Sequence, residues 1–318
     1  MKIVVLDGKT LNPGDNPWDE VAKLGELTVY DRTAPEEIVS RAKDAEIILT
    51  NKTPLTAQTL ERLPKLRFIS VLATGYNIVD VQAAAQRGIV VSNVPVYATD
   101  SVAQFTFALL LELCHHVAAH DAAVKSGEWS SCPDFCFWKY PLVELADKQM
   151  GIVGFGRIGR RVGELANAFG MKVVATDIIQ TQEPGYQPFK WMGIDELFST
   201  SDVVSLHCPQ TPDNVGMVNR ELLGRMKKSA FLINTSRGGL IVEEDLAEAL
   251  NTEKIAGAAV DVVSTEPIKP DNPLLHAKNC IITPHIAWAS LDARKRLMKA
   301  TAENISAFIA GAPINVVS

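Results

Sequence analysis

The run Met150-Gly151-Ile152-Val153-Gly154-Phe155-Gly156-Arg157-Ile158-Gly159, followed by Asp177 at the end of the apolar stretch Val173-Val174-Ala175-Thr176, leaves this chain few choices other than a strand, a tight turn and a helix built on a parallel sheet. Gly154 allows the turn out of the strand, Gly156 lets backbone approach a pyrophosphate, and Gly159 lets the helix pack closely on the sheet. The N–H groups at the start of that helix, around Arg157 and Ile158, are suited to phosphate oxygens. A helical pattern follows in Ile158, Val162, Leu165, Ala166 and Phe169. Asp177 comes about 20 residues later, where a carboxylate accepts hydrogen bonds from both hydroxyls of an adenosine ribose. A 2′-phosphate would meet Asp177 as a like charge, and Ile178, Ile179 and Gln180 offer no arginine to receive it. The expected cofactor is therefore NAD, used as NADH, rather than NADP. A glycine cluster alone also suits a ligand-free turn, and the flanking strand, helix and acid decide against that.

Strand-like runs alternate with helical patterns from the first residue, which predicts parallel sheets throughout. The first half offers runs at 2–6, 47–50, 68–72 and 89–91, separated by helical stretches around 34–43, 56–60 and 79–86. A second series starts at Met150 and continues through 172–176, 203–207, 230–234, 258–261 and 280–282. Between the two lies an apolar helix over 101–116, and a long helix over 291–309 precedes the tail Pro313-Ile314-Asn315-Val316-Val317. The second series is complete without that helix and tail, so they are expected to return to the first domain. The predicted architecture is α/β: two doubly wound, Rossmann-like parallel-sheet domains. A cofactor domain (99–286) is inserted into a discontinuous, flavodoxin-like substrate domain (1–98 and 287–318), with a cleft between them. A chain of 318 residues is long enough for both cores.

A net charge of −6 without any lysine or arginine block argues against nucleic acid or an anionic membrane as partner. Met1-Lys2 runs into only four apolar residues before Asp7, too few for a secretory signal, and no run approaches membrane-spanning length. Five scattered cysteines (Cys114, Cys132, Cys136, Cys208, Cys280) suit a reducing cytoplasm better than a disulfide framework. Cys132 and Cys136 lack two further ligands, so no metal site is expected.

In an open parallel sheet, ligands sit outside the carboxyl ends of the strands. The strand ending in Asn234 runs into Thr235-Ser236-Arg237-Gly238, the one ending in Asp261 leads to Glu266, and the one through Ile282 leads to Thr283-Pro284-His285. An arginine, a carboxylate and a histidine thus reach one rim. Arginine can fork a substrate carboxylate and polarise a neighbouring carbonyl as charge develops on oxygen. Histidine can deliver the proton in reduction and remove it in oxidation, and a glutamate on its far nitrogen fixes the tautomer and favours the imidazolium. Singly, each residue has an ordinary structural reading as a surface ion pair or cap. Their joint arrival at strand ends points to hydride transfer at a carbonyl beside a carboxylate, with the nicotinamide carrying the hydride. His115, His116 and His120 fall at a helix C-terminus and are read as structural. His207 ends a strand in Ser205-Leu206-His207-Cys208-Pro209 and is expected to line the nicotinamide side.

With these blocks assembled, the chain resembles the D-isomer-specific 2-hydroxyacid dehydrogenases over essentially its whole length. The matching segments are Gly154 to Gly159, Leu206-His207-Cys208-Pro209, Ile233-Asn234-Thr235-Ser236-Arg237-Gly238, Asp261-Val262 with Glu266-Pro267, and Thr283-Pro284-His285. The resemblance implies that Arg237, Glu266 and His285 are the catalytic arginine, glutamate and histidine, and that Asp261 contacts the nicotinamide carboxamide. It adds His207, Pro209 and Thr235 to the cofactor site. It also implies that Thr74 and Gly75, in Leu72-Ala73-Thr74-Gly75-Tyr76-Asn77, hold the substrate carboxylate through backbone N–H groups, a sound anion nest. Ala73 to Asn77, Pro133-Asp134-Phe135-Cys136-Phe137-Trp138 and His285-Ile286-Ala287-Trp288-Ala289 are most similar to the glycerate dehydrogenase branch, also called hydroxypyruvate reductases. Gln104 and Ile78 depart from that pattern.

The expectation is thus NADH-dependent reduction of hydroxypyruvate, and of glyoxylate, to D-glycerate and glycolate. Lys52 either adds positive charge to the substrate mouth or is a solvated loop lysine. Phe135, Phe137 and Trp138 either pack in their own subunit or belong to an interface, and the resemblance implies a homodimer through the cofactor domains. Three rivals are another enzyme of the family acting on lactate-like or phosphorylated 2-oxo acids, a formate dehydrogenase, and a NAD-sensing corepressor-like binding protein. Glu266 beside His285 counts against the second; the lack of basic patches and disordered flanks counts against the third.

Overall fold

The computed structural model describes residues 1–180 and 182–318. The chain divides into two units, Met1–Ala98 with Trp288–Ser318, and Thr99–Ala287. Ala287 falls in the second unit rather than the first, and its N–H donates to the buried carboxylate of Asp261 at 2.8 Å. Among the described residues, twelve strands form two sheets whose paired strands all run parallel.

In the first unit β1 (Lys2–Val5), β2 (Glu26–Val29), β3 (Ile47–Thr50), β4 (Phe68–Val71) and β5 (Val90–Ser92) are ordered β2-β1-β3-β4-β5, the flavodoxin-like arrangement. β3 and β4 are buried at every position, as unbroken apolar strands covered on both faces must be. The final helix, Leu291–Ile309, starts at Ser290, whose hydroxyl accepts the N–H of Ala293 at 3.3 Å. It stacks Phe308 on Phe68 with ring centroids 4.6 Å apart. The tail then returns to the sheet, where Val317 N–H donates to Val91 O at 2.8 Å.

The second unit contains β6 (Gln149–Val153), β7 (Lys172–Thr176), β8 (Phe189–Trp191), β9 (Val203–Leu206), β10 (Phe231–Asn234), β11 (Gly257–Val260) and β12 (Cys280–Ile282). Their order is β12-β11-β10-β9-β6-β7-β8. The direction of winding reverses between β6 and β9, and the crevice outside such a reversal is where doubly wound sheets bind ligands. Side chains alternate between two cores. Met150, Ile152, Val203, Phe231 and Ile233 pack with the helices Thr99–His115 and Arg157–Ala168, whereas Val153, Val204, Leu232 and Val260 pack with Ile194–Thr200, Arg220–Arg225 and Glu243–Asn251. Among the described residues no single helix is long and apolar enough to cross a membrane, although Thr99–His115 and Val117–Lys125, bent by 55°, would pass together by length and composition. The first of that pair is accounted for by its burial against the sheet.

Two strands, β2 and β8, lack a counterpart in the sequence reading. Both are sheet edges. Glu26-Leu27-Thr28-Val29 has no buried position, and Phe189-Lys190-Trp191 buries only Phe189, so neither shows the apolar run of an interior strand.

Candidate active site

The glycine turn leaves β6 at the reversal point. Gly154 has φ +90°, and a Cβ there would meet the backbone of His207 and Cys208, so the loops after β6 and β9 touch with no room for a side chain. A Cβ at Gly159 would run into the carbonyl oxygen of Gly154, which is the close helix approach expected of the third glycine. Gly156 differs: a Cβ there meets nothing within 4 Å, leaving open ground at the N-terminus of the twelve-residue helix Arg157–Ala168. Open space at a helix N-terminus and a following acid suit a pyrophosphate and ribose. Asp177, past the end of β7, accepts the N–H of Phe155 at 2.7 Å, joining the acid to the turn.

β9 delivers His207 and Pro209. The Nε2 of His207 lies 2.8 Å from the Ser205 hydroxyl, and desolvation pushes its pKa down to about 3, so the ring is neutral. What His207 presents to the glycine turn is its backbone. The Pro209 carbonyl accepts from Asn214 Nδ2 at 2.8 Å. Thr235, after β10, has its hydroxyl 3.2 Å from that of buried Thr106.

Arg237 rides on a turn clamped by Asn234. This fully buried side chain donates from Nδ2 to the Arg237 carbonyl at 2.9 Å and accepts the Ser236 N–H at 3.0 Å. The Ser236 hydroxyl donates to Cys208 O at 2.5 Å, tying the β10 rim to the β9 rim. The guanidinium is exposed and donates from Nη1 to Ser236 O at 2.8 Å. Next to it, a Cβ on Gly238 would collide with the Val263–Ser264 peptide, so this rim also abuts the segment leading to Glu266.

The closest pairing joins β11 and β12. Nδ1 of His285 lies 2.6 Å from Oε2 of Glu266, and Glu266 Oε1 accepts the Val263 N–H at 3.3 Å. A carboxylate only accepts, so Nδ1 carries the proton in this bond. His285 has φ +56°, an uncommon conformation for a residue with a side chain. Its N–H donates to Asp261 O at 2.8 Å and Thr283 O at 3.0 Å. Asp261, 1% exposed, takes Thr283 Oγ1 at 2.6 Å, Ile286 N–H at 2.9 Å and Ala287 N–H at 2.8 Å on its carboxylate. In this structure Asp261 therefore shapes the histidine loop.

In the first unit, Lys52, Thr74 and Gly75 follow β3 and β4. The Asp7 carboxylate accepts the N–H groups of Asn51 at 2.8 Å, Lys52 at 2.5 Å and Thr53 at 2.8 Å, so the Lys52 backbone is fixed while its side chain is exposed. Thr74 is tied to Val94 O through its hydroxyl at 3.0 Å. No cluster of three metal-ligating residues occurs among the described residues.

Asn234, Ser236 and Thr283 stand inside the motifs without a role that their residue type announces, and Glu243 lies outside every motif. A polar residue closing an apolar run, as Asn234 does, is the signal available for the first. Glu243 reads as an ordinary helix-start acid.

Residues 107–287 match the family model described as D-isomer specific 2-hydroxyacid dehydrogenase, NAD binding domain. The chain is 54% identical to a hydroxypyruvate reductase of Blautia hydrogenotrophica, covering all of both chains. It is 40% identical to a glycerate dehydrogenase of Methylorubrum extorquens, covering 99% of this chain and 98% of that one. Among solved structures, a D-lactate dehydrogenase from Aquifex aeolicus complexed with NAD and lactic acid superposes with a TM-score of 0.82 at 28% identity, over all of both chains.

Proposed function

Since the chain belongs to the D-isomer-specific 2-hydroxyacid dehydrogenase family and is an NAD-dependent oxidoreductase, we propose that it reduces hydroxypyruvate, and also glyoxylate, with NADH. The products are D-glycerate and glycolate. The observation that carries the chemistry is the 2.6 Å bond from His285 to Glu266 at the carboxyl rim of the NAD-binding sheet. The choice of hydroxypyruvate rests on the likeness to the Blautia hydrogenotrophica enzyme.

NADH, when bound, supplies the hydride. Gly154, Gly156 and Gly159 admit the pyrophosphate to the helix start around Arg157 and Ile158, and Asp177 receives the ribose hydroxyls. Loop backbone at His207, Pro209 and Thr235 completes the cofactor side. With Nδ1 held by Glu266, the His285 Nε2 delivers a proton to the carbonyl oxygen in reduction and takes it back in oxidation. Arg237 forks the substrate carboxylate and draws charge onto the carbonyl oxygen. In the first unit, Lys52 and the backbone N–H groups of Thr74 and Gly75 are the residues proposed to hold a carboxylate.

The working form proposed is a homodimer, supported by an exposed aromatic group in the second unit: Trp129, Phe135 at 89% exposure, Trp138 and Tyr140. Five cysteines, all free, support action in the cytoplasm. Steady-state kinetics with hydroxypyruvate, glyoxylate and pyruvate, each with NADH and NADPH, test the reading. The expected outcome is highest kcat/KM for hydroxypyruvate with NADH; a preference for pyruvate moves the enzyme to the lactate branch.

A further inference from the structure

Glu243 is the first residue of the helix Glu243–Asn251, yet its side chain is directed inward and the residue is 7% exposed. Burying a carboxylate is costly unless hydrogen bonds answer it. Here three neutral donors do so. Oε1 accepts the Ser264 N–H at 2.7 Å, and Oε2 accepts the Ser264 hydroxyl at 2.8 Å and Asn272 Nδ2 at 2.9 Å. Asn272 is itself buried and accepts the Leu274 N–H at 3.0 Å, which starts the next turn. One carboxylate therefore grips both ends of the loop 264–272.

Glu266 lies inside that loop, two residues past Ser264. The other side of the Val263–Ser264 peptide is closed by Gly238, whose missing side chain is what lets the Arg237 turn come so near. The loop is thus wedged between the Arg237 turn and Glu243, and it carries the Glu266 carboxylate that meets His285. Apolar packing could cover the same loop, but it would not fix direction. Three bonds from a single carboxylate do.

We propose that Glu243 is a positioning residue for the reaction, acting through Glu266: it holds the loop 264–272 so that Oε2 of Glu266 meets Nδ1 of His285. The proposal rests on the reading of His285 and Glu266 as the proton-handling pair. In Glu243→Gln the amide nitrogen faces incoming donors, so one end of the loop loses its acceptor. A displacement of about 1 Å in such a group costs on the order of 10- to 100-fold in turnover.

The test is a double-mutant cycle on the full-length enzyme with hydroxypyruvate and NADH, comparing wild type, E243Q, E266Q and E243Q/E266Q. NADH affinity by fluorescence titration accompanies it. E243Q should lower kcat about tenfold or more with NADH affinity unchanged, and it should cause no further loss once Glu266 is already Gln. If the two losses multiply, or E243Q matches the wild type in kcat, the proposal is overturned. An E266Q enzyme as fast as the wild type overturns the proton-pair reading first and the proposal with it. Should E243Q not fold, Ser264→Ala removes only the hydroxyl bond at an exposed position. Its expected effect is a loss of about twofold or more in kcat, absent in the E266Q background, and a loss that persists there overturns the proposal.

Discussion

Asp177 accepts the N–H of Phe155 on Oδ2 at 2.7 Å, so the acid expected to meet the ribose also fastens the glycine turn to the end of the neighbouring strand. The Gly154 N–H makes a parallel bond to Thr176 O at 2.9 Å. The proposed role in cofactor choice and the observed role in turn geometry fall on one carboxylate, and two substitutions separate them.

Asp177→Asn keeps an acceptor for Phe155 and removes the charge. The ratio of kcat/KM with NADPH to that with NADH should rise about tenfold or more, equivalent to about 1.4 kcal/mol, with little change in Tm. Asp177→Ala should shift the ratio likewise and also lose about 1–3 kcal/mol of stability through the orphaned N–H. An unchanged ratio in the asparagine variant removes Asp177 from cofactor selection.

His285→Gln should lower kcat by about 10²- to 10⁴-fold, the usual range for a general acid, while NADH binding by fluorescence stays as in the wild type. The loop itself should persist, because Asp261 shapes it through Thr283, Ile286 and Ala287. Wild-type turnover in this variant removes His285 from proton transfer.

Arg237→Lys should raise KM for the 2-oxo acid and lower kcat together, because an ammonium cannot reproduce the two parallel bonds of a guanidinium fork. A loss of about 2 kcal/mol or more in kcat/KM is expected, roughly 30-fold. The backbone of Arg237 is held by Asn234 independently of the side chain, so Tm should hardly move. A rise in KM alone would limit Arg237 to binding.

The parts of this molecule that were legible beforehand are those where one residue type serves one physical need. Interior strands such as Ile47-Ile48-Leu49-Thr50 announce themselves because both faces are buried, and Gly154 does so because nothing larger fits against Cys208. Edge strands are half solvated and lose the apolar signature, as β2 and β8 show. The positions of Arg237, Glu266 and His285 just past strand ends could be read beforehand, and the pairing of His285 with Glu266 follows from neighbouring strands in the sheet. Their supports were not. Asn234, Asp261 and Glu243 act through bonds to loop backbone whose path is set only when the whole sheet is assembled.

Thiol reactivity gives an independent check on burial. Burial pushes the fully buried Cys114 up to about 11 and the half-buried Cys280 up to about 12, whereas Cys136 is exposed. A thiol with a pKa near 11 is about one part in 10³ thiolate at pH 8. A thiol-disulfide reagent at pH 8 should therefore label Cys136 first, Cys280 more slowly, and leave Cys114 untouched until the protein is unfolded, as read by mass spectrometry of labelled peptides. Early labelling of Cys114 would mean that the helix Thr99–His115 is not packed on the sheet as described.

The far end of the second sheet offers a stability test separate from activity. Burial works against the Asp202 carboxylate, but the Lys227 ammonium at 2.8 Å and the Gln149 N–H at 2.8 Å outweigh it and hold its pKa below the usual value. A carboxyl with a depressed folded pKa stabilises the native state fully above its unfolded value, near 3.9, and that contribution fades as pH falls through the lower folded value. Asp202→Asn should therefore cost about 1–2 kcal/mol at neutral pH, allowing for partial solvent screening, and the difference from wild type should shrink as melting is followed below pH 4. Because Asp202 and Lys227 sit at the amino ends of β9 and β10, opposite the rim that carries Arg237 and His285, kcat at neutral pH should be unaffected. A stability gap that stays constant down to pH 2 would mean that the ionised form of Asp202 contributes nothing.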